Sequence, residues 1–256
     1  MAAATAILAT HGVSKLFGAF AAVSNVSIEV RSGEVRGLIG PNGAGKSTLL
    51  HVLAGRHEAS AGRILFEGRD ITRLQPRQRA RLGMGIKFQI TSVVNGATVE
   101  ENVMLAAQAR EPWWRLLGGA DAERRDEVAT LIEQVGLAAK RKWLAGWLSH
   151  GEQQWLEIAM VLGLRPRVLL LDEPTSGMSV RETLATAELI DRLRANLAVV
   201  VVEHDIAFIK LISDRLTVLN RGEVLAEGTV AEVEQNELVQ AAYLRRGSLG
   251  HRVKVA

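Results

Sequence analysis

Between residues 40 and 48 the chain reads Gly40-Pro41-Asn42-Gly43-Ala44-Gly45-Lys46-Ser47-Thr48, which places two glycines, a lysine and a serine at the spacing of a phosphate loop. Glycines at those places let successive backbone N–H groups turn toward one anion, which a side chain would obstruct. The flanks narrow the fold further. Val35-Arg36-Gly37-Leu38-Ile39 reads as a buried strand, and Leu49, Leu50, Val52 and Leu53 form the apolar face of a helix that ends at Gly55. A helix starting beside the loop aims its unpaired N–H groups and the positive end of its dipole at phosphate. Lys46 is then placed for the β and γ phosphates of a nucleotide and Ser47 for Mg²⁺.

Length and composition agree with a chain that folds without staples. Its 256 residues suit one large domain or a domain with a subdomain, and 48% hydrophobic content supplies a core. The absence of cysteine excludes disulfides, thiolate metal sites and a cysteine nucleophile. Met1 to Thr10 is small and apolar without a basic leading region, and no apolar run reaches the length of a membrane span, so a cytosolic chain is expected. A formal charge of +3 and a pI near 9.5 leave an anionic membrane face or nucleic acid open as partners. The basic clusters are Arg73, Arg77, Arg79 and Arg81, then Lys140-Arg141-Lys142, then Arg245-Arg246 with Arg252 and Lys254. They read as solvated faces or tails, and they lack the interleaved aromatics that stack bases, so no nucleic-acid partner is expected.

Along the chain, Val23, Val26, Ile28 and Val30 look like inward positions of an early strand, and Gly62 to Asp70 reads as a strand entering a turn. From Pro76 the sequence becomes helix-prone, and most of Glu100 to Gly163 favours helices, with breaks near Pro112, Gly118-Gly119 and Gly146. Unbroken apolar runs at Val168 to Leu171 and Leu197 to Val202 suit strands buried on both faces, with helix composition from Arg181 to Ala195 between them. Strand, helix, strand is the crossover unit of a parallel sheet. A last strand pair around Leu216 to Leu219 and Glu223 to Ala226 is joined through Asn220-Arg221-Gly222.

The run Val168 to Leu171 ends in Asp172-Glu173-Pro174, two carboxylates at the carboxyl edge of a sheet, where ligands of such folds bind. One acid can hold Mg²⁺, here Asp172, while the other, Glu173, polarises the water that attacks the γ phosphate.

With these motifs in order, the chain resembles the nucleotide-binding domain of an ATP-binding-cassette (ABC) transporter over nearly its whole length. Leu148-Ser149-His150-Gly151-Glu152-Gln153-Gln154 is similar to the family's signature, usually written LSGGQ, with His150 in place of a glycine. The resemblance implies that Ser149 and Gly151 contact the nucleotide bound by a second ATPase subunit. It likewise implies that Gln89 reaches the metal and attacking water, that His204 in Glu203-His204-Asp205 is the switch histidine at the γ phosphate, and that Phe17 stacks on adenine. Ser176-Gly177-Met178-Ser179 stands at the interprotomer loop, with Ser179 where many members carry Asp. The implied fold is α/β: a P-loop NTPase core on a mostly parallel sheet, an N-terminal antiparallel β subdomain and an inserted α-helical subdomain. The expected division of this single 1–256 domain puts core and β subdomain at 1–88 and 164–256, and the helical subdomain at 89–163.

Within the family, Gly83 to Gln89, Leu148 to Met160 and Ala241-Ala242-Tyr243-Leu244 are similar to ATPases of branched-chain amino-acid and urea importers, and His150 with the following Gln-Trp-Leu-Glu-Ile leans toward the urea type. The partners so implied are integral-membrane permease subunits, a second ATPase subunit (the same chain or a relative) and, indirectly, a solute-binding protein, with the ATPase peripheral on the inner face of the membrane. The adjacent indoles of Trp113 and Trp114 read as core packing or as a contact near the membrane subunit or lipid surface. The alternative is a soluble cassette acting on DNA or the ribosome. Against it, Lys46 and Asp172 lie only 126 positions apart with no sustained heptads between them, and there is one cassette where translation-type members usually carry two. A kinase with the same loop would not explain the signature or His204.

Overall fold

The computed structural model describes residues 6–87, 92–110 and 122–244. Gln89, Trp113 and Trp114 lie outside them, as do the side chains of Tyr243 and Leu244. The chain opens with β1 (Ala6–Phe17), β2 (Phe20–Val26), β3 (Glu29–Arg31) and β4 (Val35–Ile39), followed by α1 (Lys46–Leu53), β5 (Ala61–Phe66), β6 (Arg69–Asp70), α2 (Pro76–Leu82) and β7 (Met84–Lys87). Then come α3 (Val99–Gln108), α4 (Ala122–Gln134), two single 3₁₀ turns and α5 (His150–Leu162). The last part comprises β8 (Val168–Asp172), α6 (Val180–Arg194), β9 (Ala198–Val202), α7 (Ile206–Ile212), β10 (Arg215–Asn220), β11 (Glu223–Thr229), α8 (Val230–Gln235) and α9 (Glu237–Leu244).

These strands form two sheets. One, in the order β2-β1-β5-β6 with β3 also on β1, is antiparallel in all its pairings. The other runs β11-β10-β4-β9-β8-β7 and is parallel except for the β10–β11 hairpin. The expected α/β class, with a mostly parallel sheet and an antiparallel N-terminal sheet, is therefore the observed one.

The parallel strands follow from their composition. Every residue of β4, β8 and β9 is buried, as a sheet covered on both faces requires. Because neighbouring side chains of a strand point to opposite faces, each strand feeds two cores. Val168, Leu170, Val200 and Val202 pack with Leu49, Leu50 and Leu53 of α1, with Val23 and Val26 of β2 and with Ile28 in the link from β2 to β3. Leu169, Leu171, Val199 and Val201 belong to the other core, with Leu189, Ile190 and Leu193 of α6 and Leu156 and Ala159 of α5. Full burial of one such Leu or Val is worth about 1.5–3 kcal/mol. Val99, Val103 and Ala107 of α3 and Val128, Leu131 and Ile132 of α4 extend this second core, which makes the helical region continuous with the sheet's covering layer.

Two observations differ from the sequence reading. Met84–Lys87 lies within the stretch read as helix-prone, yet it is an edge strand paired in parallel with β8, Met84 against Val168 and Lys87 against Leu171. A partner that distant in sequence overrides local preference. Arg79, counted among solvated arginines, is only 1% exposed. Its guanidinium donates to the carbonyls of Val52 at 2.7 Å and Leu53 at 2.6 Å in the last turn of α1, and to Leu74 and Thr72, each at 2.9 Å. It closes the C-terminal end of the phosphate-loop helix where a cation suits the dipole. Burial pulls its pKa down to about 10.

Candidate functional site

The phosphate loop joins the end of β4 to the start of α1. Gly45, the residue before α1, has φ 100° and offers no side-chain cap to the helix, whereas α3, α5, α6 and α8 each begin with a Ser or Thr capping box. The first turn of α1 thus keeps donors for an external anion. The loop's glycines are also steric requirements. A Cβ on Gly45 would meet the Ala22 carbonyl oxygen at 2.3 Å, and one on Gly40, whose φ is 153°, would meet that of Leu219 at 2.2 Å. Backbone bonds fix the loop from its own far side: the Ala44 N–H donates to Pro41 O at 3.0 Å, Gly222 N–H to Ala44 O at 3.0 Å, and Ser24 N–H to Gly222 O at 2.8 Å. The β10–β11 turn thereby clamps the loop against β2.

Lys46 opens α1, and its ammonium folds back over the loop, donating to Gly40 O at 2.8 Å and Pro41 O at 3.2 Å. Burial lowers its pKa, opposed by the fields of Glu173, Asp172 and Glu203. Next to it the Ser47 hydroxyl donates to Asp172 Oδ1 at 3.3 Å. Asp172 ends β8 only 3% exposed, and burial raises its pKa against the pull of the Ser47 hydrogen bond, Lys87 and Lys46. A hydroxyl and a desolvated carboxylate side by side are hard oxygen donors of the kind Mg²⁺ takes, so the donor set fits that ion. Asn42 and Gly43 lie exposed at the loop's crest, and Thr48 is half-buried on α1 behind it.

Beyond Asp172 the backbone turns sharply. Glu173 sits at φ 46°, a left-handed conformation that a glutamate rarely adopts, and its N–H donates to Val202 O at 2.9 Å. The neighbouring strand β9 delivers Glu203 and His204 to the same edge. The His204 imidazole is 62% exposed, its Nδ1 lying 3.8 Å from Glu173 Oε1 and 3.4 Å from Glu203 Oε2. The structure thus brings Lys46, Ser47, Asp172, Glu173 and His204 together at the carboxyl edge of the parallel sheet.

Sequence reading missed the residue that ties these loops. Glu203 is 1% exposed. It accepts from the Thr175 N–H at 3.1 Å, the Thr175 hydroxyl at 2.5 Å and the His204 N–H at 3.0 Å, and so links the turn after β8 to the turn after β9. An acid directly after a fully apolar strand was its available signal. A second missed group is the buried pair Lys87–Glu157 (Nζ to Oε2, 3.6 Å) between β7 and α5. Burial lowers the Lys87 pKa and raises that of Glu157, each opposed by the partner.

Ser149 and Gly151 stand elsewhere. Ser149 caps α5, accepting from the Glu152 N–H at 3.2 Å, and its hydroxyl meets Glu182 Oε1 at 3.2 Å. Among the described residues, its hydrogen-bond partners include none from the phosphate loop. Phe17 closes β1 with its side chain 45% exposed, Lys15 Nζ 5.0 Å from the ring centre and the His57 ring edge-on at 5.3 Å.

A glycine-rich loop between strand and helix, faced by strand-end carboxylates, defines a P-loop nucleoside triphosphatase. More narrowly, residues 23–176 match the ABC transporter family, and the chain belongs to it as an ATPase. Among curated relatives, the high-affinity branched-chain amino acid transport ATP-binding protein LivG of Salmonella typhimurium is 38% identical over 249 residues, 93% of this chain and 97% of the relative. A solved ATP-binding cassette of an ABC transporter in its ADP conformation superposes with a TM-score of 0.84 at 30% identity, covering 94% of this chain and 99% of that one. The dimeric post-hydrolysis structure of another cassette, bound to ADP and Pi, gives a TM-score of 0.76 at 26% identity over 87% of this chain and 98% of that one.

Proposed function

We propose that this chain is the ATP-binding and ATP-hydrolysing subunit of an importer, energising uptake of branched-chain or other hydrophobic amino acids, urea or a related amide. The observation that carries the hydrolytic part is the convergence of Lys46, Ser47, Asp172 and Glu173 at one sheet edge. The importer part rests on the likeness to LivG over nearly the full length of both chains. The His150 to Ile158 run adds the lean toward urea-type members.

In the proposed mechanism, the loop from Gly40 to Thr48 presents its N–H groups to the phosphates. Lys46, now on Gly40 and Pro41 oxygens, turns its ammonium to the β and γ phosphates. Ser47 and Asp172 would hold Mg²⁺, joined by Gln89 on the strength of the resemblance. When bound, that ion neutralises charge developing on the transferred phosphoryl group. Glu173 accepts a hydrogen bond from the attacking water, orients it and receives its proton. His204 donates toward the γ phosphate, with Glu203 fixing its backbone from behind. Phe17 supports the adenine. Ser149 and Gly151 complete the nucleotide site of a second ATPase subunit, an arrangement supported by the dimeric cassette holding ADP and Pi.

Among the described residues no helix is long and apolar enough to cross a membrane. In the proposed assembly, which the likeness to LivG supports, permease subunits supply the path, a solute-binding protein delivers the solute, and the ATPase lies on the cytoplasmic face. The test is isolation of the assembled complex and measurement of ATP hydrolysis with candidate solutes on their binding protein. Stimulation by an amino acid, urea or an amide supports the proposal. Absence of a membrane subunit, with stimulation by DNA or ribosomes instead, would replace it with the soluble-cassette reading.

A further inference from the structure

The signature surface of this chain already carries an anion of its own. Glu182, on the first turn of α6, sends one carboxylate oxygen to the Ser149 hydroxyl at 3.2 Å. The same oxygen lies where a Cβ on Gly151 would come within 2.5 Å of it, so the carboxylate rests on the bare α-carbon of Gly151 at the N-terminal end of α5. Its second oxygen accepts from the Ser179 N–H at 2.9 Å and the Ser179 hydroxyl at 2.7 Å, which caps α6. His150 packs alongside, its ring carbon 3.1 Å from where a Cβ on Gly177 would lie. One carboxylate thus joins the signature turn to the Ser176–Ser179 loop.

Two physical facts give this contact a consequence. The Ser149 hydroxyl has a single proton, and donating it to Glu182 withdraws it from any other acceptor. An anion resting over the N-terminal end of a helix also occupies the place where that helix favours an outside anion. The neighbouring acid of the same turn is neutralised, since Glu152 pairs with Lys140 at 2.6 Å. The groups that act most strongly on the Glu182 carboxyl are Ser179, Ser149 and His150, with no lysine or arginine among them. Hydrogen bonds from Ser179 and Ser149, helped by His150, hold its carboxyl below the usual range, so it is charged at neutral pH.

We infer that Glu182 is an internal competitor for the triphosphate of the facing subunit, so that closure of the two ATPase subunits requires the phosphate to displace the Glu182 carboxylate from Ser149 and Gly151. This rests on the assignment of Ser149 and Gly151 to the nucleotide of a second subunit. In this reading Glu182 is a positioning residue. It sets how much ATP is needed for closure and leaves nucleotide binding by the separate chain untouched.

The test compares the MgATP concentration giving half-maximal hydrolysis in the isolated transporter assembly with the nucleotide affinity of the dilute, full-length chain. Glu182→Gln keeps the α6 cap and removes the charge. It should lower the half-maximal concentration about fivefold or more, with unchanged thermal unfolding and unchanged affinity of the dilute chain. Glu182→Ala, which gives up the cap, should lower it likewise despite reduced thermal stability. Ser149→Ala should raise it. An unchanged or raised value in Glu182→Gln overturns the inference, as does an equal change in the dilute chain. If Ser149→Ala moves nothing, the underlying signature assignment fails first.

Discussion

The Ser47 hydroxyl lies 3.3 Å from Asp172 Oδ1 although 125 residues separate them in the chain. The contact closes the gap between the phosphate loop after β4 and the acidic end of β8, two strands that are not neighbours: β9 runs between them. Ser47 reaches Asp172 from the first turn of α1, outside the carboxyl edge of the sheet. This proximity sets two hard oxygen donors side by side, groups that in separate turns would be a helix start and a strand-end acid.

Asp172→Asn should weaken MgATP binding by at least about tenfold, as expected when a metal ligand loses its charge, while affinity for ATP measured in excess chelator stays near wild type. Titration calorimetry under both conditions checks it. Equal loss with and without Mg²⁺ would show that Asp172 serves the loop's structure instead.

Arg79 offers a structural prediction at the opposite end of α1. Arg79→Ala leaves the carbonyls of Val52, Leu53, Thr72 and Leu74 without their buried donor. Unpaired buried groups cost about 1–3 kcal/mol each, partly relieved by water entering the space. The expected loss is about 3 kcal/mol or more in denaturant unfolding. Nucleotide affinity should fall less than stability, because the loop's own bonds to Gly222 and Pro41 remain.

Acid should loosen the helical region through Glu100. Hydrogen bonds from Arg141 and then Lys142 lower its pKa from 4.5 to about 2. A carboxyl whose folded pKa is depressed contributes stability that is fully present above the unfolded value and is lost as pH falls through the folded one. The urea midpoint of Glu100→Gln should therefore lie below wild type at neutral pH. The two should converge between about pH 4.5 and 2. Parallel curves throughout that window would contradict the assignment.

The motifs legible in the sequence are those whose chemistry is local. Gly40 to Thr48 and Asp172-Glu173 each carry their meaning in consecutive residues, and the turn at Asn220-Arg221-Gly222 was legible from residue preferences. Its Arg221 and Gly222 take φ of 51° and 85°, as a two-residue hairpin requires. The paired apolar runs also disclosed buried parallel strands. What escaped depends on remote partners. β7 is too short to declare itself without β8, Arg79 looks like any surface arginine until four carbonyls surround it, and Glu203 becomes a strut only when Thr175 arrives from the turn after β8. Glu182 reads as an ordinary capping acid because Ser149 lies 33 positions earlier.

The most direct test of the account is Glu173→Gln, which replaces a charged oxygen with an amide of the same shape at a position already held at φ 46°. Binding of MgATP and turnover are measured on the same preparation. The account predicts near-wild-type binding with hydrolysis reduced by about 10²-fold or more. Substantial hydrolysis remaining in Glu173→Gln would contradict the assignment of this carboxylate to the attacking water.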